Sequence, residues 1–236
     1  MIQFYAPEIA TTLTLPESDS AHAVKVLRMN AGDELQAIDG KGNCYTCRIV
    51  VPDRKKTLIE IVDRRPMPLP WTHKIILAVA PTKHIDRMEW AVEKLTEIGI
   101  NRFIPVLCEH SERRDLKPER LERIAVSAMK QSLKSVLLEI DPLTPVTDVI
   151  NSFKDCNRFI AYCDRTIPRL LLAQEYRPQS DTVILIGPEG DFSPQEIRRA
   201  LDEGWIPVSL GPCRLRTETA AIVAADTCHI LDHANE

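Results

Sequence analysis

Hydrophobic residues follow two different patterns along the chain, and the pattern changes near residue 70. Before that point, apolar and polar positions alternate in short runs separated by turn residues, at 34–38, 45–51 and 57–62. Alternation with a period of two predicts half-buried β-strands. The segment 65–70 contains three prolines, which break regular structure and predict a short, stiff connector. The sequence therefore predicts two domains, 1–68 and 71–236, of which the first is a small β domain.

After the connector, apolar runs of strand length alternate with segments of helical periodicity. The predicted strands are 74–80, Arg102–Leu107, 158–163, Thr182–Ile186 and 205–210. Four helices are predicted. The first occupies 83–98, the second begins at Pro118, the third extends from the N-cap Ser193 to Gly204, and the fourth begins after Thr217 as its N-cap. Continuous apolar strands that alternate with helices predict an α/β fold, in which helices cover both faces of a parallel sheet.

Two segments near the C-terminus place a strand, a glycine-containing turn and a helix start in direct succession. They are 185–196, with the sequence LIGPEGDFSPQE, and 210–220, with LGPCRLRTETA. In open α/β sheets this arrangement brings backbone groups against a bound ligand. Gly187 and Gly190 permit close approach, while Ser193, Pro194 and Glu196 predict a capped helix start.

The same segments exclude two common ligand classes and leave one structural alternative open. No lysine follows the glycines as in a Walker loop, and their spacing is not that of a dinucleotide fingerprint. Taken alone, 185–196 could be a strand, turn and helix without any ligand. The charged run 214–218, which lies between a strand and an alanine-rich helix, favours a functional site instead.

Together, the GPEG and LGxxxLRTETA motifs resemble the signature of the SPOUT methyltransferases, and most closely the bacterial ribosomal RNA small subunit methyltransferase E family. Segments 22–40 and 83–99 resemble further motifs of that family, so the resemblance covers nearly the whole chain. The sequence departs from the family pattern at His110, Lys134 and Cys213.

The resemblance implies a PUA-like β-barrel domain followed by a trefoil-knotted SPOUT parallel-sheet domain. It also implies that the protein binds S-adenosylmethionine, forms a homodimer and methylates N3 of a uridine in 16S rRNA of the assembled 30S subunit. The implied cofactor-binding residues are Ala161, Tyr162, Cys163, Leu185, Ile186, Gly187, Pro188, Glu189, Gly190, Leu210, Gly211, Leu215, Thr217 and Thr219.

The family resemblance also leads to predicted catalytic and RNA-binding roles for individual residues. Arg216 is expected to stabilise negative charge on the uracil, and Glu218 is expected to accept the N3 proton. Alternatively, Glu218 could only interact with the positive end of the helix dipole, as acids at helix starts commonly do. The residues expected to bind RNA are His22, Lys25 and Arg28 in the first domain and Lys83, Arg87 and Lys94 on one face of the helix 83–98. As an alternative, that face could pair with Glu93 and Glu97 in solvent.

Composition agrees with a cytoplasmic enzyme that acts on RNA. The chain has 236 residues, 44% of them hydrophobic, and a net charge of −4. Positive charge is nevertheless concentrated at 41–65, which contains seven Lys and Arg residues and three acids. This cluster could bind RNA phosphates, or its 54–56 part could simply be a solvated turn. No signal peptide or membrane span is predicted, and seven scattered cysteines indicate reduced thiols.

No metal site is predicted. Cys44 and Cys47 have the CxxC spacing without a second pair, and on a strand their sulfurs would face opposite sides. His229 and His233 lie one helical turn apart without a third ligand.

Two other functions remain possible from the sequence. A different RNA base, such as a tRNA nucleotide, would use the same cofactor site. A non-catalytic RNA-binding protein would need neither the GPEG nor the LRTETA motif, so their presence weighs against that class.

Overall fold

The structure is a computed structural model, and it describes residues 3–164 and 168–234. The chain divides into two compact units at Pro70 and Trp71, and the first unit also includes Val126–Leu137. No sequence signal indicated that this later segment joins the first unit. The predicted assignment of domains to 1–68 and 71–236 stays a prediction.

The first unit is built around a four-stranded sheet with the order β1-β2-β3-β4. Its strands are β1 (Gln3–Tyr5), β2 (Glu34–Ile38), β3 (Asn43–Val51) and β4 (Leu58–Pro66). β1 runs parallel to β2, and the other pairs are antiparallel. Two short helices, α1 (Ile9–Thr12) and α2 (Glu17–Ala21), precede a π-helical turn at His22–Val26.

The alternating pattern of β3 separates the two faces of this sheet, as the sequence predicted. Cys47 packs in an apolar cluster with Phe4, whereas Cys44 packs in a different cluster with Ile38. Both are free thiols. The CxxC spacing on β3 therefore places the two sulfurs on opposite faces, where they cannot share a metal ion.

The second unit contains a parallel sheet with the order β10-β12-β9-β11-β5-β6-β7, and β8 also pairs with β6. Its strands are β5 (Ile75–Val79), β6 (Arg102–Leu107), β7 (Glu139–Ile140), β8 (Thr144–Pro145), β9 (Asn157–Ala161), β10 (Leu170–Leu171), β11 (Thr182–Ile186) and β12 (Ile206–Ser209). The predicted α/β fold with a parallel sheet is confirmed, and the trefoil knot stays a prediction.

Helices alternate with these strands. They are α3 (Ile85–Ile98), α4 (Pro118–Gln131), α5 (Val146–Asn151), α6 (Leu172–Glu175), α7 (Pro194–Asp202) and α8 (Thr217–His233). Every residue of β5 and β11 is buried, which explains their continuous apolar sequences. None of the helices in the described part of the chain has the length and apolar character needed to cross a membrane.

Helix boundaries follow local capping signals in one case and depart from them in two. α7 starts with the predicted capping box of Ser193 and Glu196 and ends before Gly204, whose φ is +83°. α3 begins at Ile85 rather than at residue 83, because His84 has an extended backbone. Thr217 is the first residue of α8 and not its N-cap, because Arg216 before it has the extended backbone of an N-cap. The Thr217 hydroxyl instead donates a hydrogen bond to Gly187 O at 3.0 Å.

The C-terminal half of α8 is anchored by a buried carboxylate. Asp232 accepts hydrogen bonds from His73 Nε2 at 2.7 Å, from Tyr176 Oη at 2.9 Å and from the backbone N–H of Gln179 at 2.8 Å. Burial raises the pKa of the Tyr176 phenol, so it remains a donor at neutral pH. The network ties two separate segments of the second unit, at His73 and at the loop 176–179, to one helix.

We predict that Asp232→Ala lowers the free energy of unfolding of the second unit by about 3 kcal/mol, because it leaves buried donors without an acceptor. Urea denaturation followed by tryptophan fluorescence measures this, since Trp71, Trp90 and Trp205 all lie in that unit. Asp226→Ala, at an exposed position of the same helix, is the matched control and should change stability by at most about 0.5 kcal/mol. Equal effects of the two substitutions would contradict the anchoring role.

Candidate functional site

A pocket lies at the carboxyl edge of the parallel sheet. β9 pairs with both β11 and β12, so the loops that follow these three parallel strands meet at one edge. The loops 161–164, 186–191 and 208–215 enclose a pocket of about 490 Å³, which we call the three-loop pocket. This volume lies in the range of about 300–1,000 Å³ that is typical of small-molecule sites.

Most of the predicted cofactor residues line the three-loop pocket. Those that do are Ala161, Tyr162, Cys163, Ile186, Gly187, Pro188, Glu189, Gly190, Leu210, Gly211, Leu215 and Thr217. Leu185 does not, because β11 is buried on both faces and this side chain packs in the apolar core. Thr219 lies on α8 outside the lining.

Sequence reasoning missed several residues of the pocket wall. They are Asp164, Arg169, Asp191, Val208, Ser209 and Ala220, whereas Pro212, Cys213 and Arg214 lie within the predicted pocket segment 210–215. Asp191 directly follows the GPEG motif, and this adjacency could have indicated that it lines the pocket. Arg169 lies beyond the strand that supplies the first loop, and no motif marked it.

Three carboxylates hold the loops of this edge together, and we call them the acidic tethers: Glu189, Asp191 and Glu196. Asp191 Oδ2 accepts the backbone N–H of Cys163 at 2.8 Å. Glu189 Oε1 accepts the N–H of Lys83 at 3.0 Å, and Glu196 Oε1 accepts the N–H of Glu109 at 2.8 Å. Each tether therefore joins the segment 187–196 to a loop that follows a different strand.

Gly190 packs closely against His110. A Cβ at Gly190 would lie 3.0 Å from the Cβ of His110, which is closer than real Cβ atoms normally approach. The Nδ1 of His110 lies 3.1 Å from the carbonyl oxygens of Gly190 and Asp191. Since both partners are acceptors, Nδ1 must carry the proton. The histidine that departs from the family pattern thus supports the pocket loop directly.

Tyr162 lines the three-loop pocket and also packs in the apolar core of the second unit. Its Oη is buried and has no hydrogen-bond partner among the described residues. Burial raises the pKa of this phenol, so it is protonated at neutral pH, and the Arg169 guanidinium lies 5.2 Å from the ring centroid. The phenol therefore lies on the core side of the pocket wall, where it does not meet solvent.

The two predicted catalytic residues lie at the start of α8 and do not line the three-loop pocket. Glu218 is buried, and its Oε1 lies 3.8 Å from the Nε of Arg87. Its Oε2 is buried without a hydrogen-bond partner in the described part of the chain. Arg216 is exposed at the N-cap position. The structure thus brings Arg87 and Glu218 together and leaves Arg216 facing solvent.

The residues predicted to bind RNA have different surroundings. Lys83 precedes α3 rather than lying on its face, and its ammonium bonds Glu112 at 2.9 Å, which raises the Lys83 pKa. Lys94 bonds Glu93 at 2.7 Å and Glu97 at 2.9 Å, which is the solvent-pairing alternative raised from the sequence.

In the first unit, Lys25 and Arg28 are exposed. The ring centroid of His22 lies 5.9 Å from that of Phe4. These positions remain accessible to a nucleic acid.

Within residues 3–164 and 168–234, no group of three or more His, Cys, Asp or Glu side chains is arranged to hold a metal ion. His233 Nδ1 lies 2.8 Å from the backbone carbonyl oxygen of His229, and both rings pack near Trp71.

Comparison with known proteins assigns both units. Residues 69–229 match the family described as RNA methyltransferase domain, and residues 15–62 match the RNA methyltransferase PUA domain. A ribosomal RNA small subunit methyltransferase E from Synechocystis is 30% identical, and the match covers 93% of this chain and 74% of that relative. The chain belongs to the ribosomal RNA small subunit methyltransferase E family. The resemblance drawn from the sequence motifs is confirmed.

Solved structures agree with this family assignment. A probable rRNA-methyltransferase from Porphyromonas gingivalis is 45% identical over 100% of both chains, with a TM-score of 0.95. A ribosomal RNA small subunit methyltransferase E from Neisseria gonorrhoeae, solved bound to S-adenosyl methionine, is 27% identical over 98% of both chains, with a TM-score of 0.83. The predicted combination of a small N-terminal PUA domain with a parallel-sheet α/β domain is confirmed.

We predict that Thr217→Val lowers the free energy of unfolding by about 1–3 kcal/mol, because it keeps the side-chain shape and leaves the Gly187 carbonyl without its donor. Thr219→Val is the control, since Thr219 lies on the same helix and is only partly buried. Chemical denaturation of both variants measures the difference. A loss no larger for Thr217→Val than for Thr219→Val would show that the hydroxyl does not secure the loop.

Proposed function

We propose that this protein transfers a methyl group from S-adenosylmethionine to N3 of a uridine in 16S rRNA, with the assembled 30S subunit as its substrate. The observation that supports this most directly is the three-loop pocket, formed by the GPEG and LRTETA segments in a chain of this methyltransferase family. A family relative has been solved with the cofactor bound. The methyl acceptor and the 30S context are the finer parts of the proposal.

The residues of the three-loop pocket fit the proposed cofactor. Its wall combines apolar side chains such as Ile186, Val208 and Leu215 with backbone groups of two glycine-containing turns. When bound, S-adenosylmethionine supplies an electrophilic methyl group. The protein holds it by apolar contact and backbone hydrogen bonds.

Methylation at uracil N3 requires removal of a proton, and the negative charge that results spreads to O2 and O4. Arg216, exposed beside the pocket segment 210–215, is our candidate for stabilising that charge. Glu218 is our candidate proton acceptor, since its Oε2 makes no hydrogen bond within the described residues. Arg87, whose Nε lies 3.8 Å from Oε1, would orient this carboxylate.

The first unit is the proposed RNA-binding part, in line with its match to a PUA domain. Lys25 and Arg28 are exposed and would bind phosphates, although the whole chain carries a net charge of −4. Phosphate contacts depend on the local concentration of cations, so an acidic protein can still bind RNA.

A homodimer is proposed through α3 and α8, which pack on each other. Ala221, Ala224 and Ala225 of α8 are fully buried within the chain, so this alanine-rich face does not meet a partner. The exposed apolar side chains on these helices are Trp90, at 46%, and Ile230, at 58%. A dimer that covers them would remove this apolar surface from water.

The function is tested by mapping modified nucleotides in 16S rRNA and tRNA from cells with and without the protein. The expected result is one N3-methyluridine in 16S rRNA that disappears with the protein. Loss of a modified tRNA nucleotide instead would assign a different substrate, and no change in either RNA would indicate a non-catalytic RNA-binding protein.

We predict that the cofactor protects Cys163 and Cys213 from alkylation, because both are exposed and line the three-loop pocket. At about ten times the Kd for S-adenosylmethionine, labelling of both should slow about tenfold, as measured by peptide mass spectrometry. Cys156 is half-buried outside the pocket and should label at an unchanged rate. Burial raises the pKa of Cys228, which should stay unlabelled throughout. Protection that includes Cys156 would argue against a local pocket.

We predict that Arg216→Lys lowers single-turnover methylation of 30S subunits by about 100-fold, since it keeps the charge and loses the planar multi-donor geometry. Cofactor affinity, measured by calorimetry, should stay unchanged because Arg216 does not line the pocket. Arg198→Lys, at an exposed position on α7, is the control and should retain full turnover. Near-normal turnover of Arg216→Lys would remove its catalytic assignment.

A further inference from the structure

Exposure separates the cysteines of the chain into two classes. The buried or half-buried ones are Cys44, Cys47, Cys108, Cys156 and Cys228. Burial raises the pKa of Cys47 to about 12 and also raises the pKa of Cys156. Since the thiolate is the reactive form of cysteine, burial protects these thiols. Cys163 and Cys213 are exposed and free, so reagents dissolved in water reach them.

Both exposed thiols border the three-loop pocket. Cys163 lies in the loop that follows β9, and Cys213 lies in the loop that follows β12. These two strands are paired in the sheet, with Val208 as the register partner of Ala161. Because adjacent strands lie about 4.8 Å apart, the loops that follow them start side by side. Two neighbouring loops therefore each contribute one thiol to the same pocket.

The two loops differ in how firmly hydrogen bonds hold them. The backbone N–H of Cys163 donates to Asp191 Oδ2 at 2.8 Å, which fixes this residue to the loop after β11. In contrast, no hydrogen bond joins 212–215 to any other part of the described chain. This segment follows Gly211, whose φ of +128° is readily adopted only by glycine. Segments with few hydrogen bonds shift at low cost, so Cys213 can move while Cys163 stays in place.

The chain is long enough for the two sulfurs to meet. A disulfide needs Cα atoms that lie about 4.4–6.8 Å apart. Cys163 is two residues beyond Ala161, and Cys213 is five residues beyond Val208. Since a chain spans up to about 3.3 Å per residue, the longer segment can bring Cys213 to Cys163.

We propose that Cys163 and Cys213 form a dithiol site for low-molecular-weight disulfides, and that the bond formed between them closes the three-loop pocket to S-adenosylmethionine. Accessible thiols with a second thiol within reach are typical of redox-sensitive sites. The inference rests on the proposed function, since it takes S-adenosylmethionine as the ligand that is excluded. It adds control of cofactor binding by oxidation.

The oxidation takes place in two exchange steps. The sulfur of one cysteine attacks the S–S bond of the reagent, forms a mixed disulfide and releases one reagent thiol. The other cysteine attacks this mixed disulfide, forms the bond between Cys163 and Cys213 and releases the second reagent thiol. The protein loses two electrons and two protons, and the two reagent thiols take them up.

This bond and a bound cofactor exclude each other. The bond holds the two Cα atoms about 4.4–6.8 Å apart, which leaves no room for a ligand between the loops that contain them. A ligand between those loops conversely keeps the sulfurs apart. By reciprocity, S-adenosylmethionine therefore slows formation of the bond to the extent that the bond weakens cofactor binding.

The test treats the full-length protein with glutathione disulfide and then removes the reagent. Peptide mass spectrometry should find Cys163 linked to Cys213, without attached glutathione. Calorimetry should show that the Kd for S-adenosylmethionine has risen about tenfold or more, because the closed pocket excludes the ligand. Treatment with a reducing phosphine should restore the original Kd, and saturating cofactor present during oxidation should slow the linkage.

Single substitutions show whether the two thiols act as a pair. Cys163→Ser and Cys213→Ser each retain one thiol of the pair, so each variant should keep one glutathione attached to that thiol. Cys156→Ser is the matched control, because Cys156 lies outside the pocket. This variant should form the same link as the unmodified protein and lose cofactor affinity to the same extent.

The outcomes separate this proposal from the proposed function. Glutathione retained on both Cys163 and Cys213 of the unmodified protein would overturn the pairing. A complete link that leaves the Kd unchanged would overturn the closure of the pocket. Failure of the reduced protein to bind S-adenosylmethionine would instead refute the proposed function.

Discussion

The three-loop pocket depends on carboxylates that accept hydrogen bonds from backbone N–H groups. These bonds hold together the loops at the carboxyl edge of the sheet. The acidic tethers all lie within 187–196, and their donors lie in the loops that follow β5, β6 and β9. Hydrogen bonds to an ionised acceptor are stronger than neutral ones. The loop after β11 is therefore held from three sides, and the pocket is largely preformed before any ligand enters.

The regular elements could be predicted where the determining signals are local. The fully apolar run of β11 and the capping box of α7 depend on residues within a few positions of each other. The neighbours of β11 could not be predicted, because hydrophobic periodicity contains no information on strand order. The same reason applies to Val126–Leu137, which joins the first unit although it lies far along the chain.

The pocket lining could largely be predicted because glycine-containing turns follow two of the strands that form it. Individual charged side chains were harder to assign, since each has several possible partners within reach. Glu189 was assigned to the cofactor, yet its carboxylate accepts the Lys83 N–H. Lys94 was assigned to RNA, yet it bonds two glutamates of its own helix. Which partner a charge meets depends on tertiary neighbours, and these are not apparent in a single sequence.

The two partners of each acidic tether, a side-chain carboxylate and a backbone N–H, constrain the sequence to different extents. On one side each needs a carboxylate of a particular length, at Glu189, Asp191 or Glu196. On the other side the donor is a main-chain amide, which every residue except proline possesses. For the tether alone, positions 83, 109 and 163 can therefore mutate freely. Substrate preference can diversify at these positions while the architecture of the pocket persists.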